Sequence, residues 1–285
     1  MRYIITLLLF FFIYDIKAQS KNSEAALYNI GFGGVSGAIG ALINKKEGEK
    51  TGKVLLKGLW QGALGGYVTF ESKRILSLNL NNDDWKIYWA SNILNSAGNS
   101  IKENASNNTD FWDQWNFHIG FNRLEFHTKN GFNVKYKLMP ITAGYTIDAF
   151  FRYKFDLSNS LKYSHLIFQN NNMNPYYLGQ ASNSFIITNN EKISKHIYTY
   201  NQLVTHEIIH LYQRTDFLLL NSYYNNYMEK LYIGKPIACK YSKYIYTDFH
   251  LIINAVLYEY EFNNSEQYYD NFFESEAGYY SNTKY

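Results

Sequence analysis

His206, Glu207 and His210 stand in the order His-Glu-Ile-Ile-His. On a helix, residues four apart lie one above the other on the same face. Two imidazoles so placed can reach one Zn²⁺ at about 2.0–2.1 Å each. Glu207 falls about 100° further round the helix. It flanks the metal and is placed to take a proton from a water that the metal has activated. The residues around them (Leu203, Val204, Thr205, Ile208, Ile209, Leu211 and Tyr212) carry no charge, as a buried active-site helix requires. Two histidines leave such a centre incomplete, because three protein ligands and an open position are the norm for catalytic zinc.

The stretch resembles the zincin metallopeptidases, in which a sheet precedes the His-Glu-x-x-His helix and a helical half follows it. One branch, the metzincins, has Gly and His where this chain has Gln213 and Asp216, which excludes that branch. Residues 272–278, Phe-Phe-Glu-Ser-Glu-Ala-Gly, are similar to the gluzincin segment whose first glutamate is the third ligand. The resemblance implies Glu274 as that ligand and Ala277 as a small residue packed on the site, with Glu276 as the alternative ligand. Gly278 departs from the family, which often has there an Asp that hydrogen-bonds a ligand histidine. The orientation of the ring must then come from elsewhere or be weaker. An oxyanion needs a further donor. His250, the only histidine after the motif, is assigned to it, with Tyr279 and Tyr280 as alternatives. Gln213, one turn after His210, is either a support for the site or a solvated amide. The activity implied is that of a zinc-dependent hydrolase, a metallopeptidase acting on a peptide or protein substrate.

Other segments must position these residues. Residues 25–70 hold two apolar, glycine-rich stretches around a polar turn, and we read a helical hairpin. Gly33-x-x-x-Gly37 and Gly58-x-x-x-Gly62 put glycines on one face, where two backbones can approach closely. Each glycine costs about 1 kcal/mol of helix stability against alanine. That calls for a tight helix contact or for membrane association through residues 25–70. Trp85, Trp89, Ile93, Ala97 and Ile101 recur every four residues and predict an amphipathic helix with the tryptophans in the core. The polar stretch 104–110 marks a boundary between a glycine-rich helical region, 20–105, and a metal-binding domain, 106–285. Alternating residues predict strands at 115–119, 123–127 and 132–138, with a hairpin turn at Lys129-Asn130-Gly131. Further strands are predicted at 145–155, 161–169 and 184–188. His118 and His127 fall on strands and are taken as ordinary strand residues. The motif helix is expected over 194–216, and two more over 249–261 and 266–280. The fold class is α+β and zincin-like. A mostly antiparallel sheet is followed by the motif helix and a helical C-terminal part, and preceded by the glycine-rich hairpin.

Composition narrows the alternatives. Hydrophobic residues at 46% and charged residues at 18% exclude a disordered chain. A net charge of +3 with no basic run argues against nucleic acid as a partner. Residues 1–19 have the basic start, apolar run and small polar end of a secretory signal peptide. Export to the periplasm, the cell envelope or the medium follows from that reading. Cys239 is the only cysteine, so no disulfide can form within the chain. Two other functions fit these features: a zinc-binding envelope scaffold without proteolysis, and a membrane-interacting protein that acts through the hairpin.

Overall fold

Backbone contact between glycines sets the front of the molecule. In a computed structural model, residues 21–129, 131–173, 177–193, 197–223, 241 and 243–283 are described. Residues 1–19, read above as a signal peptide, and Cys239 lie outside them. Helices α1 (Lys21–Ile43) and α2 (Thr51–Ser77) form the expected hairpin. A Cβ on Gly37 would stand 2.7 Å from the Gly58 carbonyl oxygen, and one on Gly62 would fall on the Gly33 carbonyl. Only glycine permits that approach at both positions. Among the described helices, α1 is the one long and apolar enough to cross a membrane, and 44% of its most apolar window is buried inside the fold.

Helix α3 (Trp85–Ser106) starts where Asp84 accepts a hydrogen bond from the Lys86 amide at 3.0 Å. It packs on α2 through Gly98, where a Cβ would stand 2.7 Å from the Thr69 backbone nitrogen. The tryptophan stripe is not its core face. Trp85 and Ile93 are half exposed, while Tyr88, Ser91, Asn92, Asn95, Asn99 and Lys102 are buried. Polar side chains occupy the inner face because they bond one another and the motif helix there. Asn99 donates to Thr215 Oγ1 at 3.0 Å, and Ser91 shares a hydrogen bond with the Tyr212 hydroxyl at 2.9 Å.

Strands β1 (Gln114–Ile119), β2 (Asn122–His127) and β3 (Asn133–Leu138) form an antiparallel sheet in that order. The strand expected at 145–155 is instead mostly helix α4 (Pro140–Arg152). Its β-branched and aromatic residues favour a strand, but Pro140 at the first helical turn suits a helix start. Asp248, far along the chain, accepts from the amides of Ile141 and Thr142 at 3.1 and 2.7 Å. That cap satisfies two amides that the helix itself cannot. The run 161–169 likewise divides into the end of helix α5 (Leu157–Tyr163) and strand β5 (Leu166–Gln169).

The sheet is therefore not a single antiparallel one. A second sheet has the order β4 (Lys154–Phe155), β5, β7 (Phe185–Thr188), β6 (Gly179–Ser182). β5 and β7 are parallel, and the other pairs antiparallel. Edge strand β6 lies against the motif helix. After short helix α6 (Asn190–Ile193) come α7 (Tyr200–Thr215), α8 (His250–Asn264) and α9 (Phe272–Ser281). The α+β class holds. One hydrophobic cluster joins Phe70, Tyr88, Ile186, Val204, Ile208, Tyr212, Ala277 and Tyr280, so the hairpin and the motif helix share a core.

The glycine contact is testable by a pair of substitutions. Gly62→Ala forces a methyl onto backbone and is expected to lower unfolding free energy by about 1–3 kcal/mol. Gly31→Ala meets nothing within 4 Å and should raise it by up to about 1 kcal/mol. Urea denaturation of both variants checks the contrast.

Candidate metal centre

The motif helix is held at both ends and buried in between. Thr199 and Gln202 form a reciprocal capping box at its start, later than the expected residue 194. Residues Leu203 to Gln213 are all buried. Helix α9 starts at Asn271, whose side chain accepts from the amides of Phe273 and Glu274. Glu274 thus sits in a first turn, where helix geometry favours negative charge. Asn282 then adopts a left-handed conformation with φ 55°, and the chain turns back toward α7. Gln202 Nε2 donates to the Asn282 carbonyl at 3.2 Å, tying the two helices together.

Three ligand atoms converge between these helices. His206 Nε2 lies 3.1 Å from Glu274 Oε2, His210 Nε2 lies 3.3 Å from the same oxygen, and the two nitrogens are 3.1 Å apart. Ligands about 2.0–2.1 Å from a tetrahedral Zn²⁺ are ~3.3 Å from one another. The donor set therefore fits such an ion in both chemistry and spacing. Among the described residues, this is the group of histidine and carboxylate side chains close enough to hold a metal.

Hydrogen bonds set which ring nitrogens face the metal. Gln213 Nε2 donates to the Phe273 carbonyl and to Glu276 Oε2, both at 2.9 Å. Its amide orientation is thereby fixed, and Oε1 must accept from His210 Nδ1 at 2.8 Å. Nδ1 carries the proton, and Nε2 keeps its lone pair for a metal. His206 Nδ1 lies 3.1 Å from Thr283 Oγ1 and 3.4 Å from Ser281 Oγ. These contacts take the ring-orienting place that Gly278 leaves vacant. Tyr258 donates to Glu274 Oε1 at 2.5 Å, which leaves Oε2 to the histidines. Burial raises the Glu274 pKa, but the two imidazoles outweigh it and hold the carboxyl well below the usual range. At His210, burial works against the proton, and Glu274 outweighs it to raise the pKa.

Glu276, the alternative ligand, is held instead in a buried charge network. Lys73 Nζ lies 3.1 Å from Glu276 Oε2 and 2.7 Å from Asp216 Oδ2, and Lys102 Nζ lies 2.8 Å from Asp216 Oδ1. Asn29 donates to Glu276 Oε1 at 3.1 Å. Burial lowers the pKa of both lysines. Lys73, with two carboxylates, stays raised, whereas Lys102, with one and with Lys73 beside it, stays lowered. Burial raises the Asp216 pKa, but the two lysines outweigh it and hold the group low.

His250 is not brought to this centre, which corrects its assignment as oxyanion donor. It is buried, with Nδ1 3.4 Å from Asn221 Nδ2. Burial and the Arg123 charge push its imidazole down to about 3. His118 faces Arg123 at 2.9 Å and His127 faces Glu125 at 3.5 Å, and neither belongs to the His206–His210–Glu274 group. Tyr279 is 42% exposed and Tyr280 bonds Asn22, so neither faces the ligands. Sequence reasoning missed Tyr258, Ser281 and Thr283. Nothing marks Tyr258 among 28 tyrosines. Asn282 offers a weak signal, since Asn tolerates the left-handed turn that carries Thr283 back.

Two outcomes follow. Gln213→Ala should weaken metal binding by about 10–100-fold, measured by competition with a chromophoric chelator. Asp216→Asn should cost about 3–5 kcal/mol at neutral pH, because two lysines lose their buried counter-charge. The Asp216 pKa is lower folded than its unfolded value of about 3.9, so its stabilisation is present above that value and is lost as the pH falls through the folded one. The gap between variant and parent in urea unfolding should therefore narrow below about pH 4.

No protein-family model, no curated protein and no solved structure matches this chain.

Proposed function

We propose that the protein is an exported zinc-dependent hydrolase, a metallopeptidase of zincin-like architecture. The observation that carries the reading is the convergence of His206 Nε2, His210 Nε2 and Glu274 Oε2 at tetrahedral spacing, with Glu207 on the same helix. When bound, the metal would supply Lewis acidity and lower the pKa of water to about 7. His206, His210 and Glu274 would hold it. Glu207 would take a proton from the attacking water and return it to the leaving amine. Gln213 and Thr283 keep the imidazoles in the tautomer that binds a metal, and Tyr258 keeps Glu274 from engaging through both oxygens.

Strand β6 supports a peptide as substrate. It is the edge of its sheet, and an extended chain can add to such an edge through backbone hydrogen bonds. Gly179 on that strand lies beside the base, since a Cβ there would come 3.2 Å from Glu207 Oε1.

Purified protein should contain close to one zinc per chain by elemental analysis, and chelation should abolish hydrolysis of a peptide library. Glu207→Gln should retain the zinc and lose about 10²–10⁴ of the rate, the span expected for general acid–base catalysis. Protein that takes up no zinc, or an active Glu207→Gln variant, overturns the reading.

A further inference from the structure

Arg214 stands seven residues after Glu207 on α7, two turns along the same face. Its Nη2 donates to the Ala181 carbonyl of edge strand β6 at 2.9 Å. Its Nη1 is buried and has no partner among the described residues. No carboxylate among those residues forms an ion pair with it, and Glu207 acts on it only through charge at a distance. Burial depresses its pKa to about 10, with Glu207 and Tyr258 pulling the other way. A part-buried guanidinium with one buried, unused donor is costly until an anion takes it, and planar carboxylates match its fork.

Arg214 also lines a cavity of about 190 Å³ whose wall is mostly apolar, with Leu166, Leu211, Phe155, Leu161 and Ile119 among its residues. A cavity of about 150 Å³ holds a benzene molecule, so this one has room for one apolar side chain. Ser184 lines the same space, and its hydroxyl is buried without a partner. A cation, a serine and an apolar body thus border one space. No residue of the metal centre lines it.

We propose that Arg214 anchors the free C-terminal carboxylate of a peptide whose last side chain, apolar, fills this cavity. The proposal rests on the peptidase reading for its direction of cleavage. Seven helical residues advance about 10 Å, and side chains on a helix lean back toward its start, so the guanidinium approaches Glu207 more closely than its Cα does. An extended peptide advances about 3.3 Å per residue. A carboxylate held at Arg214 then lies one or two residues beyond the bond at Glu207. The substrate class is short peptides, or chain ends, with an apolar C-terminal residue.

The test is a binding measurement on the full mature chain carrying Glu207→Gln, so that no turnover is needed. Isothermal titration compares N-acetyl-phenylalanine with N-acetyl-phenylalanine amide. The carboxylate should bind about tenfold or more tightly, the size expected of a charge-assisted pair. Arg214→Gln should remove that preference. Arg214→Lys, which keeps the charge and loses the fork, should restore only part of it. Unchanged thermal unfolding separates lost recognition from lost folding. Equal binding of the two probes, no binding of either, or a preference that survives Arg214→Gln in a folded protein overturns the proposal. Failure of the peptidase reading looks different: the carboxylate preference persists while zinc-loaded protein with native Glu207 cleaves no peptide. Where hydrolysis occurs, C-terminal amidation should lower kcat/KM about tenfold in the parent and leave Arg214→Gln unaffected.

Discussion

A carboxylate buried against two imidazoles is the interaction on which the rest of this structure depends. Glu274 is 2% exposed, and its Oε2 lies within 3.3 Å of both ring nitrogens. Such a charge is expensive to bury unless every lone pair finds a partner. Here Tyr258 takes one oxygen and the histidines take the other. The arrangement holds only if α7 and α9, distant in sequence, keep their register to within a few tenths of an ångström. The caps at Thr199 and Asn271, the left-handed turn at Asn282 and the bond from Gln202 all act on that register.

The same requirement reaches back into the glycine-rich hairpin. His210 is oriented by Gln213, Gln213 by Glu276, and Glu276 by Lys73 and Asn29 on α2 and α1. Lys73 is fully buried, so its ammonium must sit where carboxylates of α7 and α9 can surround it. That placement needs α1, α2 and α3 to stack closely enough for Asn29, Lys73 and Lys102 to reach one point. Gly65 shows the constraint directly, since a Cβ there would stand 2.8 Å from Lys102 Cγ. The glycines recognised in the sequence as a close-contact surface therefore have a physical use inside the fold. They bring two lysines to the carboxylates behind the metal ligands.

Legibility in the sequence followed how local the determining force was. The hairpin, strands β1 to β3 and the three metal-facing residues rest on short-range periodicity, on i,i+4 spacing, and, for Glu274, on a family resemblance. Those segments and the His206–His210–Glu274 juxtaposition are present in the structure. Helix α4 was illegible because Asp248, over a hundred residues later, caps it. The face of α3 was misread because its core is polar: Asn95, Asn99 and Lys102 are buried through bonds to α7. A hydrophobic pattern cannot announce a face held by hydrogen bonds. His250 failed for a related reason. It is the only histidine after the motif and lies on the helix between the ligands, but the position beside Glu274 belongs to Tyr258, two turns later on the same helix.

These cases share one feature that bears on how the front third of the chain relates to the metal centre. The polar stretch at 104–110 reads as a linker, yet Asn104 donates to the carbonyls of Phe111 and Gln114 at 2.9 and 2.8 Å, and Arg123 on β2 binds Glu103 of α3 at 2.7 Å. Arg123 is itself 1% exposed and also pairs with Glu125 on its own strand, so separating α3 from β2 would leave a buried guanidinium with one of its two carboxylates. At the other end, separating α2 from α9 would take Glu276 from Lys73 and leave it Asp216 alone. Two buried ion pairs on opposite sides of α3 thus tie the glycine-rich helices to both the sheet and the metal-ligand helices. Loss of either pair removes one counter-charge from a buried cation in the low-dielectric interior. His206, His210 and Glu274 stand on α7 and α9 in the last third of the chain, and the hairpin from the first third supports those helices through these buried charges.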